Sequence, residues 1–397
     1  MGVYVLSPMR LHYSPMDSPT DIRAVQPPPG LTSDPVTLLN LAHREAGASA
    51  IVFDYLPAAG QAEFVARLWE GGWHTQVTEG GWFTCKRQAG EIVFVGVRPW
   101  VAPEEPMIGP TVGPAHLVAW MLCRWRKATD VHYRHTPGAA TVASIRAQPR
   151  HKHPKWVLRN ANTMDYWEPP TKLVDIHYIG RGGKSHREGH RWDMRSAYLA
   201  AMAAAHLPYD KPMPTGGAPF EYGYFRVRLG NPLDRPYWLS RPDRQGTRWM
   251  THEGYQDLIY APMGEGPRRT DVELIDSITT SDGGRWLRSW AERWRDALLE
   301  PRLRAVLKRG YAEAVGLMAV ESGGIFRPDV RHIIGQRVAV QIARRAREVK
   351  QGTGISPIQI NVDSLYYPTT VDVAQVSALI GVGDKIGQMR YEGVQPL

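Results

Sequence analysis

Residues 191–198 read RWDMRSAY, and they mark the change from a strand pattern to a helical one. An apolar strand pattern (KLVDIHYIG, residues 172–180) and a basic glycine-rich turn precede them, and the helical run AYLAAMAAAHLP begins at Ala197. The apolar alternation upstream and the alanine-rich run downstream predict a strand followed directly by a helix. Asp193 therefore falls at the point where a strand gives way to a helix.

A second carboxylate, Asp363, ends another apolar strand pattern, IQINVD at residues 358–363, which a turn connects to SLYYP. A carboxylate in such a hairpin costs free energy unless it is paired or bound to a metal. Two carboxylates on neighbouring strands suit Mg²⁺, a hard ion that prefers carboxylate and phosphate oxygens. Two such ions favour in-line nucleotidyl transfer. The alternative is that each carboxylate caps a helix or a turn.

Cations follow on a predicted helix, in LEPRLRAVLKRGYAEAVG. Arg304 and Lys308 lie four positions apart and so project from one helix face. Such a face could hold a triphosphate whose reacting end lies on the metals. The alternative is a solvated basic face paired with Asp296 or Glu300.

These patterns resemble the motifs of family B DNA polymerases. Residues 193–198 resemble motif A (Asp-x-x-Ser-Leu-Tyr-Pro), residues 308–316 match the outer Lys and Gly of motif B, and residues 361–364 resemble motif C (Asp-Thr-Asp-Ser). The glycine turn at residues 178–188 and DKIGQMRYE at residues 384–392 resemble segments of the phage and linear-plasmid, protein-primed-like branch. Five weak motifs in the right order predict a polymerase more strongly than any one of them.

The resemblance implies a role for each matching position. Asp193 and Asp363 would be the catalytic ligands of two Mg²⁺ ions, or of Mn²⁺ in their place, with the Met194 carbonyl completing one coordination sphere. Tyr198 would stack under the sugar and exclude a 2′-hydroxyl, although packing against the following helix is an alternative. The implied nucleotide-binding residues are Ser196, Tyr198, Arg304 and Lys308. The implied DNA-binding residues are Arg181, Lys184, Lys385, Arg390 and Tyr391.

The chain departs from the family at several of these positions. Ala312 and Val315 replace the Asn and Tyr of motif B, Asn361 replaces the first Asp of motif C, and Leu199 replaces the Pro of motif A. We expect weaker rather than absent catalysis. The chain ends five residues after Glu392, so the resemblance implies a reduced form without a thumb, whose grip on the duplex a partner would supply.

The N-terminal part is where a 3′–5′ exonuclease would lie, and its first motif needs clustered carboxylates for two metals. Asp54 follows a fitting strand, but no Asp-x-Glu occurs before residue 190. We therefore expect an exonuclease-like remnant without proofreading.

The element pattern predicts an α+β fold: a polymerase palm of antiparallel sheet and helices, with a helical fingers insertion and a reduced N-terminal α/β domain. The predicted parts are an irregular segment (1–35), the reduced α/β domain (36–145), a basic linker (146–171), palm with motif A (172–283), fingers with motif B (284–350), and palm with motif C and a short tail (351–397).

Composition limits the function classes. The 397 residues are 43% hydrophobic and 22% charged, as in an ordinary globular chain, and no run is long enough for a membrane span. Without a secretory start, and with only two Cys, the chain is expected in the cytoplasm of a bacterial or phage-infected cell. The net charge of +9, carried by ten Lys and thirty-eight Arg, favours a polyanionic partner, although a GC-rich genome also produces many Arg.

Two further patterns have structural and functional interpretations. Trp286, Trp290 and Trp294 recur every four residues, which indicates core packing before base stacking. The helix pattern at residues 331–350 carries six cations beside an apolar stripe of Ile334, Val338 and Ile342, which suits template backbone or triphosphate as well as a membrane surface.

The predicted function is template-directed DNA polymerisation. Its expected partners are primer–template DNA, dNTPs and either a terminal protein or a partner that replaces the thumb, with no membrane. One alternative is a degenerate polymerase fold that binds DNA or a replication partner, and another is a metal-dependent nuclease that uses the same carboxylates.

Overall fold

The computed structural model describes residues 2–7, 10–15, 23–25, 50–53, 66, 69–72, 74–78, 82–87, 90–96, 125, 128–129, 136–148, 177–179, 186–209, 212–214, 221–230, 242–260, 271–299, 303–320 and 325–397. Arg181, Lys184, Asp54 and most of the predicted linker (149–171) lie outside these ranges.

In chain order the described elements are β1 (Gly2–Ser7), β2 (Arg10–Pro15), β3 (Arg23–Val25), β4 (Ala50–Phe53), β5 (His74–Thr78), β6 (Trp82–Arg87), β7 (Gly90–Gly96), α1 (Pro137–Arg146), β8 (His177–Ile179), β9 (Glu188–Met194), α2 (Ala197–Ala204), β10 (Leu207–Pro208), β11 (Met213–Pro214), β12 (Tyr222–Leu229), β13 (Thr247–Thr251), α3 (His252–Tyr260), β14 (Val272–Thr280), β15 (Gly283–Gly284), α4 (Arg288–Ala297), α5 (Arg304–Leu317), α6 (Pro328–Thr353), β16 (Gln359–Asn361), β17 (Ser364–Tyr367), α7 (Val373–Ile380) and β18 (Met389–Pro396). The prediction of mixed helix and sheet, with antiparallel sheets, is confirmed.

The chain divides into two units. The first unit comprises Met1–Ala147 and Asp296–Ala314, and the second comprises Gln148–Arg295 and Val315–Leu397. The division after Ala147 lies near the predicted end of the N-terminal domain at residue 145. Most of α5, from Arg304 to Ala314, belongs to the first unit, which differs from the predicted fingers segment at 284–350.

The first unit contains a seven-stranded sheet in the order β3-β2-β1-β4-β7-β6-β5. The pairs β1–β4 and β4–β7 are parallel, and the remaining neighbours are antiparallel. Three of its strands lie within residues 1–35, so the prediction of an irregular segment is wrong for those strands. The segment is rich in Pro and Ser, but it also contains short runs of strand-forming residues such as Val3-Tyr4-Val5. Pairing with β4 holds the first of these strands, β1, in the sheet.

Helices α1 and α5 pack closely within the first unit. The Thr136 hydroxyl caps α1 by accepting from the Ala139 N–H at 3.1 Å, and the Glu313 carboxylate accepts from the Gly138 N–H at 2.9 Å. At Gly310 a Cβ would lie 2.6 Å from the Thr141 hydroxyl oxygen, so a larger residue would push the helices apart. Besides its resemblance to motif B, the Lys308–Gly316 segment therefore packs α5 against α1.

The second unit contains two larger sheets whose neighbouring strands are all antiparallel. One sheet has the order β18-β9-β17-β16-β8 and the other has the order β11-β14-β12-β13, while β10 pairs with β15. The second sheet packs on α3 and α6 through a buried cluster in which the rings of Phe225 and Tyr255 stack at 4.6 Å. The first sheet is the one that carries Asp193.

The helical patterns are confirmed in type and corrected in extent. The first part of the predicted fingers segment at 284–350 forms two helices, α4 and α5, with Pro301 in the sequence between them, a residue that a helix interior does not tolerate. Trp286, Trp290 and Trp294 are buried, which confirms core packing, and the apolar stripe of Ile334, Val338 and Ile342 on α6 is buried as well. Within the described ranges, no helix has the length and apolar character that a membrane crossing requires.

The cations of α6 are largely neutralised within the second unit. Arg344 and Arg347 bind Asp257 of α3, Arg337 binds Glu253 of α3, and Arg345 binds Glu348. Three of these arginines hold α6 to α3 and the fourth pairs within α6, which reduces the basic surface that the sequence pattern suggested for template or triphosphate.

Two histidines, His252 buried and His332 half-buried, make the second unit sensitive to acid. His252 accepts from the Gly223 N–H, and His332 is hydrogen-bonded to the Tyr224 hydroxyl at 2.9 Å. Burial lowers the pKa of each imidazole to about 4 from the ordinary value of 6.5. Each stays neutral in the folded protein at pH values where the unfolded chain already binds a proton.

We expect the free energy of unfolding to be greatest above pH 6.5 and to fall between pH 6.5 and 4, by up to about 1.4 kcal/mol per pH unit for each histidine. Urea unfolding at pH 7 and pH 5 measures this. His332→Gln should reduce the loss and the exposed His186→Gln should not. Equal stability of the wild type at both pH values would contradict the prediction.

Candidate active site

One face of the five-stranded sheet carries a polar row that crosses four strands. In the register Asp193 of β9 pairs with Ser364 of β17 on one side and with Arg390 of β18 on the other, and Ser364 pairs with Asn361 of β16. Directly paired residues of neighbouring strands project to the same face. The adjacent residue, Trp192, faces the opposite side, where its indole donates to the Ser377 hydroxyl of α7 at 3.0 Å.

The two predicted carboxylates lie close together in the fold, one near a strand end and one in an adjoining turn. Asp193 is the penultimate residue of β9, and Asp363 lies in the two-residue turn between β16 and β17. The Met194 N–H donates to the Asp363 carbonyl at 2.9 Å, so one backbone hydrogen bond ties the strand end to the turn. The structure thus brings both carboxylate residues to one end of the sheet.

Asp193 is nearly buried and already has partners on one oxygen. Its Oδ1 accepts from the Ser364 hydroxyl at 2.8 Å and from Arg191 Nη2 at 3.1 Å. The Arg191 guanidinium also contacts the Ser364 hydroxyl, at 3.1 and 3.3 Å, and lies 5.8 Å from the centre of the Tyr366 ring. Neither Arg191 nor Ser364 was among the predicted site residues, because only the strand register shows that both contact Asp193.

Two unusual backbone conformations flank these carboxylates. Among the described residues, the non-glycine residues with positive φ are Ser196, at 51°, and Val362, at 54°. The left-handed region is costly for a β-branched residue such as Val362, and strain of this kind clusters at functional sites. Ser196 directly precedes α2, three positions after Asp193, and Val362 directly precedes Asp363.

Tyr198 lies beside the carboxylate site, near the start of α2. Burial raises the pKa of its phenol, the negative charge of Asp363 raises it further, and the positive charge of Arg331 lowers it. The hydroxyl therefore stays protonated at neutral pH. Arg331, the first of the six cations at residues 331–350, lies on the first turn of α6 and is exposed.

A loop before β18 is held against the segment that follows Asp193. Arg195 donates to the Gly383 carbonyl and to the Asp384 carboxylate, both at 2.9 Å, and its carbonyl accepts from the Gly387 N–H at 2.8 Å. This loop presents Lys385, which is exposed. Arg195 was missed because it stands at a position that motif A leaves open.

The predicted DNA-binding residues of β18 separate onto two faces. Arg390 lies in the row of Asp193 and forms an ion pair with Glu392. Tyr391 pairs with Trp192 on the opposite face, where its hydroxyl is hydrogen-bonded to His190 Nδ1 at 2.7 Å. The structure therefore does not bring Tyr391 to the carboxylate face.

Arg304 and Lys308 lie on α5, and both are exposed, as their spacing predicted. Arg304 Nε donates to the Leu298 carbonyl at 3.4 Å. Both cations belong to the first unit, whereas Asp193, Met194, Ser196, Tyr198 and Asp363 belong to the second.

The carboxylates fit a metal that brings most of its own ligands. Among the described residues no group of three or more His, Cys, Asp or Glu side chains is placed to hold a metal ion. Mg²⁺ is usually held by one or two carboxylates together with water and substrate phosphates. Asp193 and Asp363 supply such a donor set, and Asp193 Oδ2 accepts no hydrogen bond from a described residue.

Comparison with known proteins shows the fold. No protein-family model and no curated protein sequence matches this chain. Phi29 DNA polymerase in complex with primer–template DNA and incoming nucleotide is similar in structure, at 12% identity over 99% of this chain and 84% of that chain, with a TM-score of 0.58. Its binary complex with primer–template DNA gives a TM-score of 0.56, and its orthorhombic crystal form gives 0.51, both at 12% identity. The chain thus has the fold of phi29 DNA polymerase.

Proposed function

We propose that this protein is a template-directed DNA polymerase of the family B type that transfers dNMP to a primer 3′-hydroxyl or to a protein hydroxyl. The observation that carries the proposal is the pairing of β9 with β17. It brings Asp193 and the Asp363 turn to one end of the sheet, with a backbone hydrogen bond between Met194 and Asp363. This pair occurs in a chain with a DNA polymerase fold.

In this proposal the parts of the chain keep their predicted roles. Residues 172–283 and 351–397 form the palm, 284–350 the fingers, and the N-terminal part is an exonuclease remnant without proofreading. The similar phi29 structures contain primer–template DNA and incoming nucleotide, which supports the same classes of partner here. A terminal protein as an alternative primer is part of the same proposal.

Asp193 and Asp363 would hold Mg²⁺, or Mn²⁺ in its place, with a contribution from the Met194 carbonyl. The bound ions would neutralise phosphate charge and make the attacking hydroxyl a better nucleophile. Tyr198, kept protonated beside Asp363, would lie under the sugar with Ser196 nearby. The phosphates would be bound by Arg304 and Lys308.

The primer strand would be held by cations around the same end of the sheet. Lys385 is exposed on the loop that Arg195 fixes, and Arg390 shares the row of Asp193. Arg181 and Lys184 would extend this surface from the glycine-rich turn. Tyr391, on the opposite face, would support the strand through His190 and Trp192 rather than touch DNA.

Incorporation of single nucleotides tests this function. A labelled primer is annealed to four templates that differ only in the first unpaired base, and each dNTP is offered separately with Mg²⁺. We expect the complementary dNTP to be added at least ten times faster than the others, a discrimination of about 1.4 kcal/mol or more. Primer shortening would instead indicate a nuclease, and addition independent of the template would contradict the proposal.

A second candidate function is DNA binding without catalysis. The observation that favours it is the ion pair of Arg191 with Asp193. Because a protein cation already neutralises this carboxylate, the protein can fold around it without a bound metal. Asn361, in the position where the family has an Asp, points the same way. Tight binding of primer–template DNA without incorporation would establish this candidate.

A further inference from the structure

Arg191 contacts the Asp193 carboxylate, to which a divalent ion would have to bind. Its guanidinium lies 3.1 Å from Asp193 Oδ1, and Ser364 donates to the same oxygen. The side chain is one-third exposed, so it has room to leave this position without unfolding the strand. Tyr366 lies opposite Arg191 in the register, and its ring lies near the guanidinium.

A guanidinium and a metal ion compete for such a carboxylate. An ion bound to Asp193 would lie about 2.1 Å from a carboxylate oxygen, which brings two positive centres close together in a site that is largely buried. The carboxylate gains from either cation, but the two cations repel each other. Arg191 therefore opposes ion binding at the carboxylate that it keeps in position while no ion is bound.

We propose that Arg191 is a tethered cation that occupies the Asp193 carboxylate and must be displaced before a divalent ion binds there. It is a positioning residue and not a catalytic one. The inference rests on the proposed function in one respect: in a polymerase, the strength of the Arg191–Asp193 ion pair would set the Mg²⁺ concentration needed for activity. The competition between Arg191 and a divalent ion itself does not depend on polymerase activity.

The direction in which removal of Arg191 changes divalent-ion affinity distinguishes competition with the ion from mere orientation of Asp193. If Arg191 only orients Asp193, its removal should weaken ion binding. If it competes, removal should strengthen ion binding, by about tenfold or more, as is typical when a neighbouring charge is removed from a carboxylate site.

Mn²⁺ binding to the full-length protein without DNA tests the proposal, with free Mn²⁺ measured by electron paramagnetic resonance. Arg191→Gln removes the charge, and Arg191→Met removes it while keeping an aliphatic stem against Tyr366. We expect both to bind Mn²⁺ at least about tenfold more tightly than wild type. Arg191→Lys, which retains a positive charge, should stay near wild type.

The second unit offers a matched control. Arg226 on β12 forms an ion pair with Asp243 at 3.1 Å, the same distance as in the Arg191 pair. Arg226→Gln should leave Mn²⁺ binding unchanged, and Asp193→Asn combined with Arg191→Gln should abolish the gain. Unfolding curves identify which variants are folded, and either charge-removing variant alone decides the question.

Unchanged or weaker Mn²⁺ binding by a folded Arg191→Gln or Arg191→Met variant overturns the inference. Tighter binding supports it, whether or not the protein incorporates nucleotides. Failure of the polymerase proposal appears instead in the incorporation assay, so the two outcomes are distinguishable.

Discussion

Asp363→Asn is expected to reduce the rate of dNMP incorporation by about a thousandfold or more while leaving the affinity for primer–template DNA within about twofold of wild type. The amide has the shape of the carboxylate but lacks its charge, so it is a poor ligand for Mg²⁺. The hydrogen bond from the Met194 N–H goes to the Asp363 backbone carbonyl, and it therefore survives the substitution. The turn and the strand pairing should persist.

Single-turnover incorporation and DNA binding by fluorescence anisotropy measure the two effects separately. Asp372→Asn is the matched control, because Asp372 caps α7 by accepting from the Ala374 and Gln375 N–H groups, and Asn is an equally good cap. The control should incorporate as wild type does. Incorporation by Asp363→Asn at the wild-type rate would show that the Asp363 carboxylate has no catalytic role.

Asp257→Ala is expected to lower the free energy of unfolding by about 3–5 kcal/mol. The Asp257 carboxylate is buried, and it accepts from Arg347 Nη2 at 2.9 Å and from Arg344 Nε at 2.8 Å. Arg347 is itself buried, so the substitution leaves a positive charge without its carboxylate between α3 and α6. Removal of one partner of a buried pair is far more costly than loss of a surface pair.

Urea unfolding of wild type and Asp257→Ala at pH 7 measures this cost. Glu273→Ala is the control, because Glu273 pairs with Arg228 on the exposed surface of β12 and β14, where an ion pair contributes at most about 1 kcal/mol. A loss below about 1 kcal/mol for Asp257→Ala would mean that Arg347 finds another partner or reaches solvent.

Local patterns predicted the elements of the site in part. The hairpin of β16 and β17 around Asp363 follows from an apolar strand pattern bounded by a turn, and the start of α2 follows from its alanine-rich run. The apolar pattern at residues 172–180 overlaps β8, whereas β9 has a largely polar sequence that shows no apolar strand pattern. The strands at residues 1–35 were not predicted, because pairing between distant segments holds them in a sheet and short Pro-containing segments give little local indication of it.

The contacts of Asp193 depend on the alignment of paired strands, which the sequence does not reveal. Arg191 and Ser364 meet at Asp193 because β9 and β17 pair in one particular alignment, which no local pattern determines. Alternation along β18 does place Arg390 and Tyr391 on opposite faces, so the separation of these two residues could have been predicted from a strand period of two. The partners of the α6 arginines lie on α3, far away in sequence, and a count of cations does not reveal them.

The most direct test of polymerase activity is primer extension by wild type and Asp193→Ala on the same primer–template, first with Mg²⁺ and then with Mn²⁺. The proposed function predicts that wild type extends the primer with at least one of the two metals and that Asp193→Ala extends it with neither. Absence of extension by folded, DNA-binding wild type with both metals would contradict it, as would equal extension by the variant.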